Sequence, residues 1–160
     1  MGERDEGLRG ISMNVIVSCG KAKQRGPCQA GKMYTGSYSK GCLKWALSVT
    51  DWHNVFIMSA KYGLLPLSKI IAPYDITWGD VGCVDVRTIK QQVQDIKIES
   101  PVVMVGGSRY RKIAEQVWDV VYAPLIGIGG MGHQLAWLKN NRGRMPVQFV
   151  SGISPEESEE

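Results

Sequence analysis

Three short apolar runs constrain this chain most: Val15-Ile-Val17, Val55-Phe-Ile-Met58 and Val102-Val-Met-Val105. Each is uniformly hydrophobic rather than alternating, and each stops at small or polar residues: Ser18-Cys19-Gly20, Ser59 and Gly106-Gly107. Runs of this kind read as strands buried on both faces. Helical stripes lie between them. Cys42, Trp45, Ala46 and Val49 recur at i, i+3, i+4 and i+7; Val86, Ile89, Val93 and Ile96 form a second stripe, and Tyr110, Ile113, Ala114 and Val117 a third. Asp119-Val-Val-Tyr122 reads as a short fourth strand, and Met131, Leu135 and Leu138 mark a last helix. The stretch to about Lys32 and the long segment holding Gly63, Pro66, Pro73 and Gly79 read as loops. The alternation predicts an α/β three-layer sandwich around a mostly parallel sheet of four or five strands.

With 160 residues the default is one domain, expected over residues 13–150, between a flexible leader at 1–12 and a disordered acidic tail at 151–160. No apolar run approaches the ~20 residues that span a bilayer, and the polar N-terminus has no apolar signal segment. A cytoplasmic protein with no membrane partner is expected. Cys19, Cys28, Cys42 and Cys83 form no C-x-x-C pair, and His53 and His133 stand in no ligand spacing with them. Free thiols and no metal site are therefore expected. Formal charge is +4 overall, but both ends are acidic: residues 13–150 hold 17 Lys and Arg against 8 Asp and Glu, a net charge of +9. A basic body suits a polyanion such as nucleic acid.

In open parallel sheets ligands bind beyond the carboxyl ends of the strands. Those ends are Ser18–Lys23, Ser59–Tyr62, Gly106–Tyr110 and Pro124–His133. In the first, Ser18, Cys19 and Lys21 border the expected pocket. Lys23 and Arg25 extend the charge, and Cys19 reads as a packed thiol or, with a base that the sequence does not supply, a nucleophile. The segment is not a Walker loop. In the second, Ser59, Lys61 and Tyr62 arrive together before Gly63: Lys61 suits a phosphate or a leaving anion, and Tyr62 a stacked base. In the third, Gly107, Ser108 and Arg109 open a helix whose N-terminus favours anions, with Arg111 and Lys112 beside it; Ser108 is the expected cap. In the fourth, Gly127-Ile-Gly129-Gly-Met-Gly132 matches G-x-G-x-x-G without the acidic residue that a dinucleotide fingerprint needs. It reads instead as a close backbone approach to phosphate or sugar, with His133 as donor or as a packed side chain.

Asp51, Glu99 and Asp119 precede strands and so belong to the opposite edge, while Asp85, Asp95 and Glu115 fall on helices. Asp75 and Asp80 alone leave the active edge. Asp75 follows Pro73-Tyr74, where proline restricts the backbone, and is the catalytic candidate; a turn or cap residue is the other reading.

The runs Val17-Ser-Cys-Gly-Lys-Ala-Lys23, Met33-Tyr34-Thr-Gly-Ser37, Ile57-Met-Ser-Ala-Lys-Tyr-Gly-Leu-Leu65 and Ile71-Ala-Pro-Tyr-Asp75 resemble small bacterial and phage domains of the DUF6884 type, over about Val15 to Lys139. His133-Gln-Leu-Ala-Trp-Leu138 fits the last helix of such domains. Gly20, between Cys19 and Lys21, and the Lys-Gln-Arg-Gly-Pro-Cys insertion depart from the usual pattern. The resemblance implies a remote relation to the uracil-DNA-glycosylase fold and to a domain of archaeal transglycosylase-type tRNA enzymes. Cleavage or exchange of an N-glycosidic bond is then expected, at a modified base in DNA, with no cofactor and no obligate protein partner. Asp75 would carry the chemistry, Lys61 or His133 would hold the leaving base, Tyr62 or Tyr74 would stack on it, and Lys21, Lys23, Arg25, Arg109, Arg111, Lys112, Arg142 and Arg144 would meet phosphates. A base-exchange transferase on free nucleotides and a non-catalytic nucleic-acid-binding module are the alternatives.

Overall fold

The computed structural model describes residues 13–145. The expected leader and acidic tail lie outside the described residues.

All three apolar runs are strands: β1 (Asn14–Ser18), β3 (Val55–Ser59) and β6 (Val102–Val105). They pair in parallel with β1 in the centre, Val15 opposite both Val55 and Val103. A short β7 (Val121–Tyr122) adds in parallel to β6. It starts two residues later than expected: the Ser100 hydroxyl accepts from the amides of Asp119 and Val120, and pairing with β6 begins where the Val102 amide donates to the Val120 carbonyl at 3.1 Å. The segment read as loop after Ser59 begins instead with a strand, β4 (Gly63–Pro66), antiparallel to β3. Glycine and proline at its ends hid it. The five-stranded sheet has the order β4-β3-β1-β6-β7, so it is mixed α/β and mostly parallel. The Lys- and Gly-rich loop also contains structure: β2 (Cys28–Gln29), a one-turn helix α1 (Ala30–Met33), and an antiparallel pairing of β2 with β5 (Ile70–Ile71).

Four longer helices cover the sheet: α2 (Ser37–Val49), α3 (Val86–Ile96), α4 (Ser108–Val117) and α5 (Met131–Asn140). Strand pleating sends alternate residues to opposite faces. Val15, Val17, Val55, Ile57, Val103 and Val105 pack with Cys42, Trp45, Ala46 and Val49 of α2 and Leu138 of α5. Ile16, Phe56, Met58, Val102 and Met104 pack with Ile89 of α3 and Ile113 and Ala114 of α4. The adjacent leucines of β4 divide the same way, Leu65 to the first face and Leu64 to the second. That is a three-layer arrangement. Among the described residues no helix is long and apolar enough to cross a membrane.

The chain leaves β1 towards one helical layer and leaves β6 towards the other. The crevice between their carboxyl ends is therefore a topological switch point, the usual ligand position in such sheets.

Candidate functional site

The Ser59–Gly63 segment is a hairpin turn. Ser59 pairs with Gly63, whose φ of +78° is the left-handed value that glycine accepts without strain. A Cβ there would strike the Gln92 carboxamide. Gln92, reaching from α3, clamps the turn from both sides: its Oε1 accepts from the Leu64 amide at 2.8 Å and its Nε2 donates to the Tyr62 carbonyl at 2.9 Å.

Ser59 is fully buried. Its hydroxyl oxygen accepts from the Lys61 and Tyr62 amides at 3.2 and 3.0 Å and lies 2.8 Å from the Tyr74 hydroxyl. Tyr74 lies 2.7 Å from the Tyr34 hydroxyl. A hydroxyl oxygen has two lone pairs. The two amides occupy both on Ser59, so its hydrogen goes to Tyr74, and Tyr74 in turn donates to Tyr34. The chain of hydroxyls thus has a direction, ending on Tyr34. Burial pushes Tyr34 up to about 12 and raises Tyr74 further; the Tyr34 bond works against the rise at Tyr34 and adds to it at Tyr74. Both tyrosines are neutral hydroxyls at physiological pH.

The rings form an aromatic wall. Tyr74 meets Tyr62 edge to face at 5.6 Å between centroids and Tyr34 at 6.4 Å. Tyr62 anchors its own hydroxyl on the Ala72 carbonyl. Two cations stand over this wall: the Lys23 ammonium 4.4 Å from the Tyr74 centroid, and the Lys61 ammonium 5.3 Å from that of Tyr62. Asp75, next in the chain and exposed, is close enough to act on the Lys23 charge.

On the other side of the crevice the Cys19 sulfur lies 3.3 Å from the Tyr110 hydroxyl. Burial and the neighbouring Cys19 raise the Tyr110 hydroxyl. Tyr110 meets Trp78 edge to face at 6.3 Å, and Arg109 donates to the Trp78 carbonyl at 3.4 Å. Ser18 is buried beneath Gly106, where any Cβ would collide with its hydroxyl. The ends of β1 and β6 therefore touch.

The remaining expected residues fall in three groups. Lys21, Arg25 and Lys112 are exposed. Ser108 is the first helical residue and makes no cap bond; Gly107 occupies the cap position of α4, so the expected serine cap is corrected by one residue. Arg111 is tied to Glu115 at 3.1 Å. With Gly106, Ser108, Gly127, Gly129 and Gln134 it lines a hollow of about 180 Å³. His133 is exposed at the start of α5 and packs against Gly129 on the rim of that hollow. Arg142 and Arg144 follow α5, where Trp45 bonds the Asn141 carbonyl and the Gly143 amide bonds Ser48. That is the C-terminal end of α2, at the opposite edge of the sheet, so these two arginines do not join the cations around Tyr74.

Sequence reading gave no role to Tyr34, Tyr110 or Gln92. Tyr34 stood in a motif of the resembled family, Tyr110 was read only as core, and Gln92 carried no signal, since its partners are 28 and 30 residues away.

The family model described as a family of unknown function, DUF6884, matches residues 15–140, and the chain belongs to that family. Comparisons with curated proteins and with solved structures gave no significant match.

Proposed function

We propose that this DUF6884 domain, with a fold remotely akin to the uracil-DNA glycosylases, hydrolyses the N-glycosidic bond of a modified base in DNA, as part of a defence against phage. The observation that carries the reading is the aromatic wall of Tyr34, Tyr62 and Tyr74 at the carboxyl end of β3, next to the switch point, with Lys23 and Lys61 over it and Asp75 at its side. A wall of this kind suits a flat base taken out of the stack. Tyr34, where the chain of hydroxyls ends, is raised by burial and keeps its own hydrogen to donate.

In the reaction a water oxygen bonds to the sugar C1′ while the bond from C1′ to the base nitrogen breaks. The electron pair leaves with the base. The Asp75 carboxylate stabilises the oxocarbenium-like sugar and takes the water's proton. Lys61 supplies positive charge to the departing base, and Tyr62 or Tyr74 stacks on it. Arg109, Lys21 and Arg25 meet the flanking phosphates, and His133 with the Gly127–Gly132 loop approaches a neighbouring sugar or phosphate.

DNA carrying hypermodified pyrimidines, incubated with the protein and assayed for abasic sites, tests this directly. The wild-type chain should release base, and Asp75→Asn should lose at least about 100-fold in rate, the scale of one preorganised electrostatic contact. Release from no substrate, or full activity in Asp75→Asn, ends the proposal. DNA affinity should also fall steeply with salt.

The division of the basic residues favours a second reading. Arg142 and Arg144 lie at the opposite edge and Arg111 is paired, which leaves a short cationic footprint suited to a mononucleotide. A base-exchange transferase would bind a free nucleotide tightly and long DNA poorly.

A further inference from the structure

Lys23 differs from the other cations at the carboxyl edge. Its backbone is fixed by an antiparallel bridge to Tyr34, flanked by bonds from the Gln24 amide to the Met33 carbonyl and from the Thr35 amide to the Ala22 carbonyl. Lys21, Arg25, Lys61 and Arg109 are exposed, whereas Lys23 is half-buried. Its ammonium lies between two ring faces, 4.4 Å from Tyr74 and 5.9 Å from Tyr34, and donates to the Lys21 carbonyl at 3.0 Å. A phosphate contact has no need of such a position, because lysines that bind phosphate act as solvated point charges.

A lysine amine becomes a nucleophile when desolvation favours its neutral form. Desolvation is the largest influence on Lys23 and lowers its pKa; the charges of Cys19 and Asp75 oppose it, and ring faces also favour the ammonium. Asp75 is near enough for its charge to act on Lys23, and the proton that the ammonium must lose before it can attack passes to solvent.

We propose that Lys23 is an amine nucleophile that forms an imine with the aldehyde of an abasic deoxyribose in the crevice beside Tyr74. The inference rests on the glycosidic-bond reading, because that reaction leaves such an aldehyde. The neutral amine adds to C1′ of the ring-opened sugar. One proton moves from the nitrogen to the C1′ oxygen, solvent supplies a second, and that oxygen departs as water, leaving a protonated imine. Loss of a C2′ proton to Asp75 or to water then expels the 3′ phosphate, with the C3′–O bond breaking and its electron pair leaving on oxygen. Water hydrolyses the imine and returns the amine. The strand is cut with no oxidant or metal required, so the domain is a lyase as well as a hydrolase.

The test uses the full chain and DNA with a preformed abasic site, with borohydride to reduce any imine. The expected result is a covalent protein–DNA adduct on a denaturing gel, mapped by peptide mass spectrometry to Lys23. It should fall at least tenfold in Lys23→Ala and Lys23→Arg and persist in Lys44→Ala and Lys90→Ala, at exposed lysines on α2 and α3. No adduct with the wild-type chain, or an adduct mapped to another lysine, overturns the proposal. The mapping is made on the wild-type protein and holds even where a variant fails to fold. Base release from modified DNA is measured separately. Release without an adduct removes the lyase alone; an adduct at Lys23 without release removes the hydrolase reading and leaves the amine.

Discussion

The two edges of the sheet use polar side chains in different ways. At the edge where the parallel strands begin, most of the bonded polar side chains hold the backbone, Asn54 with Thr50 being an exception. The Trp118 indole donates to the Ile98 carbonyl at 2.8 Å, the Ser100 hydroxyl takes the Asp119 and Val120 amides, and the Trp45 indole donates to the Asn141 carbonyl. At the edge where the strands end, some side chains hold the backbone in the same way, as Gln92 does, but others bond one another: Ser59 with Tyr74, Tyr74 with Tyr34, Cys19 with Tyr110. The first pattern fixes the chain path. The second assembles groups that titrate, stack and exchange hydrogen bonds, at a cost that folding alone gives no reason to bear. Hollow size points the other way, since the larger one, about 440 Å³ and bordered by Lys97, Ser100 and Trp118, lies at the starting edge. Chemistry is the better guide, because two of its polar groups, the Trp118 indole and the Ser100 hydroxyl, are already committed to backbone partners.

Substitutions can break this contrast. The largest effect is expected from Trp118→Ala. Trp118 is 4 % exposed and packs with Ile98 and Ile113, so its loss should cost about 3–5 kcal/mol in urea unfolding. Ligand affinity of the folded fraction should stay unchanged; a matching loss of affinity would show that the two edges are not separate in role. Next comes Gly63→Ala. The left-handed backbone adds about 1–2 kcal/mol, and the new Cβ displaces Gln92 from both its bonds. Stability and activity should fall together, while Gln92→Ala should give a smaller loss of the same kind; an unchanged unfolding midpoint in Gly63→Ala would contradict the clamp.

Tyr74→Phe is smaller in stability and sharper in meaning. It keeps the ring for stacking and removes the middle of the hydroxyl chain, at about 1–2 kcal/mol for the partners left short of a bond. Base release should drop several-fold with little change in KM. Equal loss in Trp118→Phe would weaken the assignment of the site.

The smallest effect is alkaline. Burial pushes Cys42 from 9.0 up to about 12 and Tyr34 from 10.0 up to about 12, and Tyr38 and Tyr74 shift the same way. The folded state favours the protonated forms, so the unfolded chain releases its protons first. Their contribution is complete below about pH 9 and declines as pH rises towards 12. Unfolding free energy measured across that range should fall. Cys42→Ala should delay the onset to about pH 10, and an unaltered onset would remove the thiol from the account.

Much of the scaffold was legible. Val15, Val55 and Val102 each open a run with a single reading, because a doubly covered strand has no polar face to show. Cys42, Trp45 and Val49 repeat with the helical period that their packing demands. β4 was not legible: Leu64-Leu65 between a glycine and a proline looks like punctuation until β3 lies beside it and sends the two leucines to opposite layers. The site was half legible. Ser59, Lys61, Tyr62, Tyr74 and Asp75 could be placed near a strand end by position alone; Lys23 was assigned to the same edge as a phosphate contact, and its place over the Tyr74 ring carried no sequence signal.

By itself the sequence determined the alternation of strands and helices and hence the edge at which the candidate groups collect, because apolar periodicity is a local property written in neighbouring residues. Only the tertiary structure decided which groups meet there. Tyr34 bonds Tyr74 across 40 positions and Cys19 meets Tyr110 across 91. No local pattern encodes such pairs, since they follow from strand order, and strand order is settled by the packing of the whole sheet.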